Sequence, residues 1–176
     1  MPGPTFRRGE RVELCPLERE DLEFCVEHLN DPAVRHGLAR SGPLSMAEEE
    51  SWFEQQAESD DDTVFAVCRD GDLMGTCGLH GIDRRAGVAE LGYWLAPEYH
   101  GQGYATDAAR AVADSGFDEQ RLAKVYAKAF GFNDASQRVL EKVGFQQEGR
   151  LRDHFYVDGD RVDVVEFGLL ADELEA

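Results

Sequence analysis

The stretch from Val88 to Phe130 limits the possible folds more than any other part of this chain. It opens with "VAELGYWLAP", a β-rich run that Pro97 helps to end by removing a backbone donor. A glycine turn, His100-Gly101-Gln102-Gly103, leads into a helix. Its small or apolar positions Ala105, Ala108, Ala109, Val112, Ala113, Gly116 and Phe117 keep an i, i+3, i+4, i+7 stripe. "AKVYAKAF" then reads as another strand. A strand, a helix with a small-residue face and a second strand favour a crossover that joins two parallel neighbours.

The flanking segments favour antiparallel pairing. Arg11 to Leu17 reads as a first strand. "REDLEFCVEHLND" reads as an amphipathic helix with Leu22, Cys25, Val26 and Leu29 on one stripe. "DPAVRHGLARSGPL" carries Pro and Gly breakers and reads as a loop with one helical turn. Ser45 starts the next helix, with Glu48 three residues on as in a capping box. Asp70-Gly71 and Asp158-Gly159 each join two β-rich runs as hairpins, and Asn133 starts a last helix that Gly144 closes. The expected order is β-α-α-β-β-β-α-β-α-β-β. It implies an α/β (α+β) fold in a single domain over residues 1–176: a mixed, mostly antiparallel sheet of about seven strands with four helices on its faces.

Charge narrows the partners. The chain carries 36 acids against 18 bases, a net charge of −18, so phosphate repulsion argues against direct nucleic-acid binding. Fifteen of the bases are arginines, and the three lysines are Lys124, Lys128 and Lys142. Such a surface, acidic throughout and poor in lysine, resembles those of halophilic proteins, where salt screens self-repulsion. An acidic face matched to a basic substrate is the other reading. No apolar run is long enough to span a bilayer and the N-terminus has no signal-peptide pattern, so no membrane partner and a cytoplasmic location are expected. Four cysteines without paired spacing read as small buried hydrophobes, and five scattered histidines indicate no metal site.

An acidic chain with an anion-binding turn needs a special solution. Gly101 and Gly103 leave backbone N–H groups bare at a helix start, where the dipole is positive, which makes a phosphate cradle. A P-loop would need Gly-Lys-Ser/Thr, but Tyr104 follows Gly103; a dinucleotide loop would need a third glycine, but Thr106 stands there. The turn instead resembles the pyrophosphate loop of the GCN5-related N-acetyltransferases (GNAT), [RQ]-x-x-G-x-[GA], with His100 in place of the usual Arg or Gln. "NDASQRVLEKVGF", Asn133 to Phe145, resembles the N-x-x-S-x-x-V-L-E-K-x-G-F signature of one GNAT branch, the ribosomal-protein N-terminal alanine/serine acetyltransferases. The likeness extends over nearly the whole chain, through "AELGYWLAPEYHGQGYATDAAR" and "EGRLRDHFYVDG".

That resemblance implies acetyl-CoA as donor, no metal, and a primary amine as acceptor: the N-terminus of a protein or peptide, or a small amine such as a polyamine, amino acid or antibiotic. A non-catalytic acyl-CoA-binding module is the remaining alternative, and a monomer or homodimer is expected. The cofactor contacts it implies are Leu95, His100, Gly101, Gln102, Gly103, Tyr104, Ala105, Thr106, Asn133 and Ser136. Glu90, in a strand whose alternation puts Val88, Glu90, Gly92 and Trp94 on one face, is expected as a water-relayed general base. His80 is a second candidate on the adjacent strand. Many family members protonate the leaving thiolate with a tyrosine seven residues after the asparagine; Leu140 stands there, so Ser136 is the expected donor. Trp52, Phe53 and His80 are expected to shape the acceptor pocket.

Overall fold

The computed structural model describes residues 2–174. Its strands are β1 (Arg7–Arg8), β2 (Glu13–Pro16), β3 (Thr63–Arg69), β4 (Asp72–Asp83), β5 (Val88–Leu95), β6 (Lys124–Phe130), β7 (Gln146–Val157) and β8 (Asp160–Leu170). Its α-helices are α1 (Leu22–Leu29), α2 (Pro32–Leu38), α3 (Met46–Glu58), α4 (Tyr104–Asp118) and α5 (Asp134–Val143). All eight strands form one sheet in the order β1-β2-β3-β4-β5-β6-β8-β7. Among the described residues, no helix is long and apolar enough to cross a membrane.

Both Asp-Gly hairpins form where the sequence predicts them. Asp70 and Gly71 have φ of 53° and 88°, and Asp158 and Gly159 have 51° and 88°. Consecutive positive φ values suit the twist of a two-residue hairpin. Every neighbouring pair is antiparallel except β5–β6, which is parallel and joined through α4.

Two elements depart from expectation. The eighth strand, β1, is only two residues long and offered no periodicity to detect. α2 occupies much of the expected loop: Pro32 sits in its first turn, Asp31 accepts from the Ala33 N–H at 2.8 Å, and Ala39 closes the helix in the left-handed region. Proline breaks a helix interior but is pre-organised for a first turn, so the breaker reading missed a start signal.

The small face of α4 does bring it close to the sheet. Ala108, Ala109, Val112 and Ala113 are buried, and a Cβ added at Gly116 would lie 2.8 Å from Leu79 Cδ1. Asp107, also buried, accepts from the N–H groups of Glu10, Arg11 and Val12 at 3.0, 2.8 and 2.9 Å. One carboxylate thereby ties the β1–β2 turn to α4.

The feature that makes a site is a split in the sheet. β5 and β6 pair only at Val88↔Lys124, Ala89↔Val125 and Glu90↔Tyr126, although β5 runs on to Leu95 and β6 to Phe130. Beyond Glu90 the strands diverge. α4 starts shortly after β5 ends and α5 shortly after β6 ends, so both helix N-termini lie at the open end of the wedge, the usual ligand position beside parallel strands.

Candidate active site

The glycine turn is built to expose its amides. Gly101 and Gly103 have φ of 70° and 84°, angles that an L side chain rarely adopts. The N–H groups of Tyr104, Ala105 and Thr106 have no partner within the helix because they open its first turn. The carbonyl side of the turn is braced instead. His100 Nε2 donates to the Leu95 carbonyl at 2.7 Å, Gln102 Nε2 donates to the Glu98 carbonyl at 2.8 Å, and the Arg11 guanidinium donates to the Gln102 carbonyl. A carbonyl only accepts, so the proton of His100 sits on Nε2. His100 thereby fastens the turn to the end of β5, a structural role for the residue that stands in place of the family's Arg or Gln.

A cleft of about 530 Å³ opens beside this turn, and of the residues expected to hold the cofactor all but Gln102 line it. Gln102 braces the turn from outside the cleft. The Tyr104 side chain is buried, its ring flanked by Arg11 and Arg69 and its hydroxyl accepting from Arg69, so what it offers a ligand is its backbone N–H. Asn133 is the predicted cap of α5, with Oδ1 accepting from the Ser136 N–H at 3.1 Å. Its Nδ2 lies against Gly37 of α2, where an added Cβ would come within 3.1 Å. α2 is held there by His36, whose Nδ1 lies 2.7 Å from Asp158 Oδ2 at the tip of the β7–β8 hairpin.

Sequence reasoning missed three lining groups. Arg138 and Lys142 of α5 bring positive charge to the cleft of an acidic protein. They share the spacing Ala135, Arg138, Val139, Lys142 on one helical face, a signal that was present in the sequence. The third is Tyr93. Its Oη lies 2.7 Å from Ser136 Oγ and 3.4 Å from the Ser136 carbonyl oxygen. Burial pushes the phenol up to about 12, with the Ser136 hydrogen bond opposing that rise. A buried tyrosine hydroxyl ordinarily finds a partner, but nothing local in the sequence names one 43 positions away. Leu140, where the family tyrosine is missing, is fully buried.

A second cavity, of about 430 Å³, adjoins the first, and Tyr93, Trp94 and Leu38 border both. Trp52 and His80 line it, together with Gly92, Glu48 and Glu49. Phe53 does not line it; its ring lies under the Arg19 guanidinium at 5.7 Å. Glu90 lines neither cavity. It is the last β5 residue paired with β6, its side chain is 35% exposed, and its carboxylate lies 3.9 Å from Lys128 Nζ. His80 stands directly opposite Glu90 across the β4–β5 pairing, with Nδ1 3.4 Å from Asp62 Oδ1. Among the described residues, no group of three or more His, Cys, Asp or Glu side chains is placed to hold a metal ion.

Comparison with known proteins agrees with this geometry. Residues 11–146 match the acetyltransferase (GNAT) domain. The chain is 41% identical over 179 residues to the putative ribosomal N-acetyltransferase YdaF of Bacillus subtilis, covering 97% of each. It is 30% identical over 148 residues to the spermidine N(1)-acetyltransferase of Escherichia coli, covering 84% of this chain and 80% of that one. Among solved structures, the spermidine N-acetyltransferase of Vibrio cholerae in complex with CoA and spermine superposes with a TM-score of 0.88 at 26% identity, over 93% of this chain and 97% of that one.

Proposed function

The chain belongs to the GNAT acetyltransferases, and from that premise we propose that it acetylates the N-terminal α-amine of a protein or peptide with acetyl-CoA as donor. One observation carries the chemistry: Ser136 and Tyr93, hydrogen bonded at 2.7 Å, stand where the cleft and the second cavity meet. The choice of acceptor draws support from the 41% identity to the putative ribosomal N-acetyltransferase.

The residues fit the donor. The first-turn amides of α4 suit a pyrophosphate without any basic side chain, and Arg138 and Lys142 add charge on the facing helix. When bound, acetyl-CoA supplies an activated acyl group on a sulfur that leaves as a thiolate. Ser136 Oγ holds a proton for that sulfur, and Tyr93 Oη orients the hydroxyl and replenishes the proton. Glu90 receives the proton of the amine through water, with His80 across the strand pair as the group nearer the acceptor. An α-amine, with a pKa of about 7.7–8.0, asks less of such a base than a lysine at about 10.4.

A small cationic amine is the second reading, favoured by the two carboxylates of the second cavity and by the spermidine acetyltransferase relatives. Release of free thiol from acetyl-CoA separates the two. Peptides with free α-amines should turn over faster than their N-blocked forms and faster than spermidine. Preference for spermidine would overturn the N-terminal reading, and no thiol release with any amine would overturn turnover itself. Glu90→Gln should move the pH–rate profile to higher pH; an unchanged profile removes Glu90 as the base.

A further inference from the structure

Glu49 is a buried carboxylate that the reaction as described does not use. It lies on α3, is 5% exposed, and lines the second cavity. Its neighbour Glu48 is engaged: the Glu48 carboxylate accepts from the Ser45 N–H at 2.8 Å and from Ser45 Oγ at 2.9 Å. The Glu49 carboxylate has no hydrogen bond or ion pair among the described residues. Arg40, in the same cavity, acts on it only at longer range. Burial raises Glu49 above the usual carboxylate range, with Arg40 opposing that rise. The nearby Cys25 thiol is pushed up to about 12, first by burial and then by the charges of Glu49 and Asp21. This corner of the protein is poorly solvated, and a carboxylate there whose only counter-charge acts from a distance is incompletely compensated.

We propose that Glu49 is the recognition group for the acceptor's positive charge, so that the second cavity takes the acceptor's amine as an ammonium ion. The remaining walls suit such a ligand. Trp52 and Trp94 bring aromatic rings to the lining, a residue type that attracts cations, and Leu29 and Leu44 bring apolar surface for the carbon next to the nitrogen. The cation supplies the close partner that Arg40, acting only at longer range, does not. Tyr93, which also borders this cavity, connects it to Ser136. The assignment rests on the acetyltransferase reading for what happens next, but the binding it describes can be measured without turnover.

Calorimetry of n-butylammonium chloride binding to the protein–CoA complex tests it, with n-butanol as the uncharged control. Wild type should bind the cation more tightly than the alcohol. Glu49→Gln should weaken cation binding by roughly 10- to 100-fold, the loss expected for a hydrogen bond to a charged group, and leave butanol and CoA affinities unchanged. Glu49→Asp, with the carboxylate drawn back, should fall between. The melting temperature of unliganded Glu49→Gln should equal or exceed that of wild type, because an unpaired charge has been removed; a merely structural glutamate would lower it. Equal cation affinity in wild type and Glu49→Gln overturns the proposal, as does a cation that binds no better than butanol. A wild type that binds the cation through Glu49 yet releases no thiol with any amine overturns the catalytic reading instead.

Discussion

Replacing Tyr93 by Phe removes a single oxygen, and its consequences can be worked from the contacts of that atom. The Oη has one strong partner, Ser136 Oγ at 2.7 Å, and a longer contact with the Ser136 carbonyl at 3.4 Å. A hydrogen bond between uncharged groups contributes about 1 kcal/mol, and Ser136 faces the cleft, where water can replace the lost partner. Stability should fall by about 0.5–1 kcal/mol, or ~1–4 °C in melting temperature for a chain of this length. Activity should fall further. A positioned proton donor contributes about 10²–10⁴-fold, and in the proposed reaction Tyr93 acts on the proton through Ser136. Tyr93→Phe should therefore cost about 10–100-fold in kcat and Ser136→Ala more. Because the two hydroxyls work as one unit, the double variant should be about as slow as Ser136→Ala alone. The assay is thiol release at saturating acetyl-CoA, with CoA affinity measured separately and expected to be unchanged. Multiplicative losses in the double variant, or less than about a threefold loss in Tyr93→Phe, would refute a shared proton path. Burial at about 12 keeps the phenol protonated, so no downward limb assignable to Tyr93 should appear below that pH.

Gly103→Ala forces a side chain onto φ of 84° and brings its Cβ to 3.0 Å from Arg11 Nη1; CoA affinity should fall by roughly tenfold, ~1.4 kcal/mol, read by calorimetry. Asp107→Ala strands three N–H groups of the β1–β2 turn. With water replacing part of that loss, it should cost about 2–4 kcal/mol in denaturant unfolding, and a loss under about 1 kcal/mol would contradict its role as the tie to α4. Glu49 has a folded pKa above its unfolded value near 4.3. Between those values the unfolded chain binds fewer protons, so the stability Glu49 gives at low pH is lost as pH rises through its raised value. Glu49→Gln should lack that decline in a stability–pH series. Finally, the net charge of −18 predicts a melting temperature that rises between about 0.1 M and about 1 M KCl as the screening length shrinks from ~10 to ~3 Å; a flat or falling trend would show that self-repulsion is not limiting.

What the sequence determined by itself is local. The Asp-Gly turns, the Ser45–Glu48 capping box, the Asn133 cap, the glycine turn and the small face of α4 each depend on backbone angles or side-chain spacing within a few residues. All of them stand where the order of residues put them. The parallel β5–β6 pair followed from chain connectivity, and the cleft beside the glycine turn from the two helix starts. α2 was missed although its signals were local, because a proline was read as a breaker when it stood in a first turn.

The tertiary structure decided which of these parts meet. Tyr93 and Ser136 are 43 positions apart, and only the divergence of β5 from β6 beyond Glu90 lets α5 bring the serine to the tyrosine. Glu48 and Glu49 are adjacent, chemically alike and both line the second cavity, yet one is bonded to its own helix cap and the other is buried without a hydrogen bond among the described residues. Phe53 beside Trp52 turns to Arg19 while Trp52 lines the second cavity. Pattern and propensity act through neighbours in the chain, so they fix elements and turns. Burial, desolvation and hydrogen-bond partners at a site come from surfaces contributed by distant segments, and these exist only once the sheet has formed.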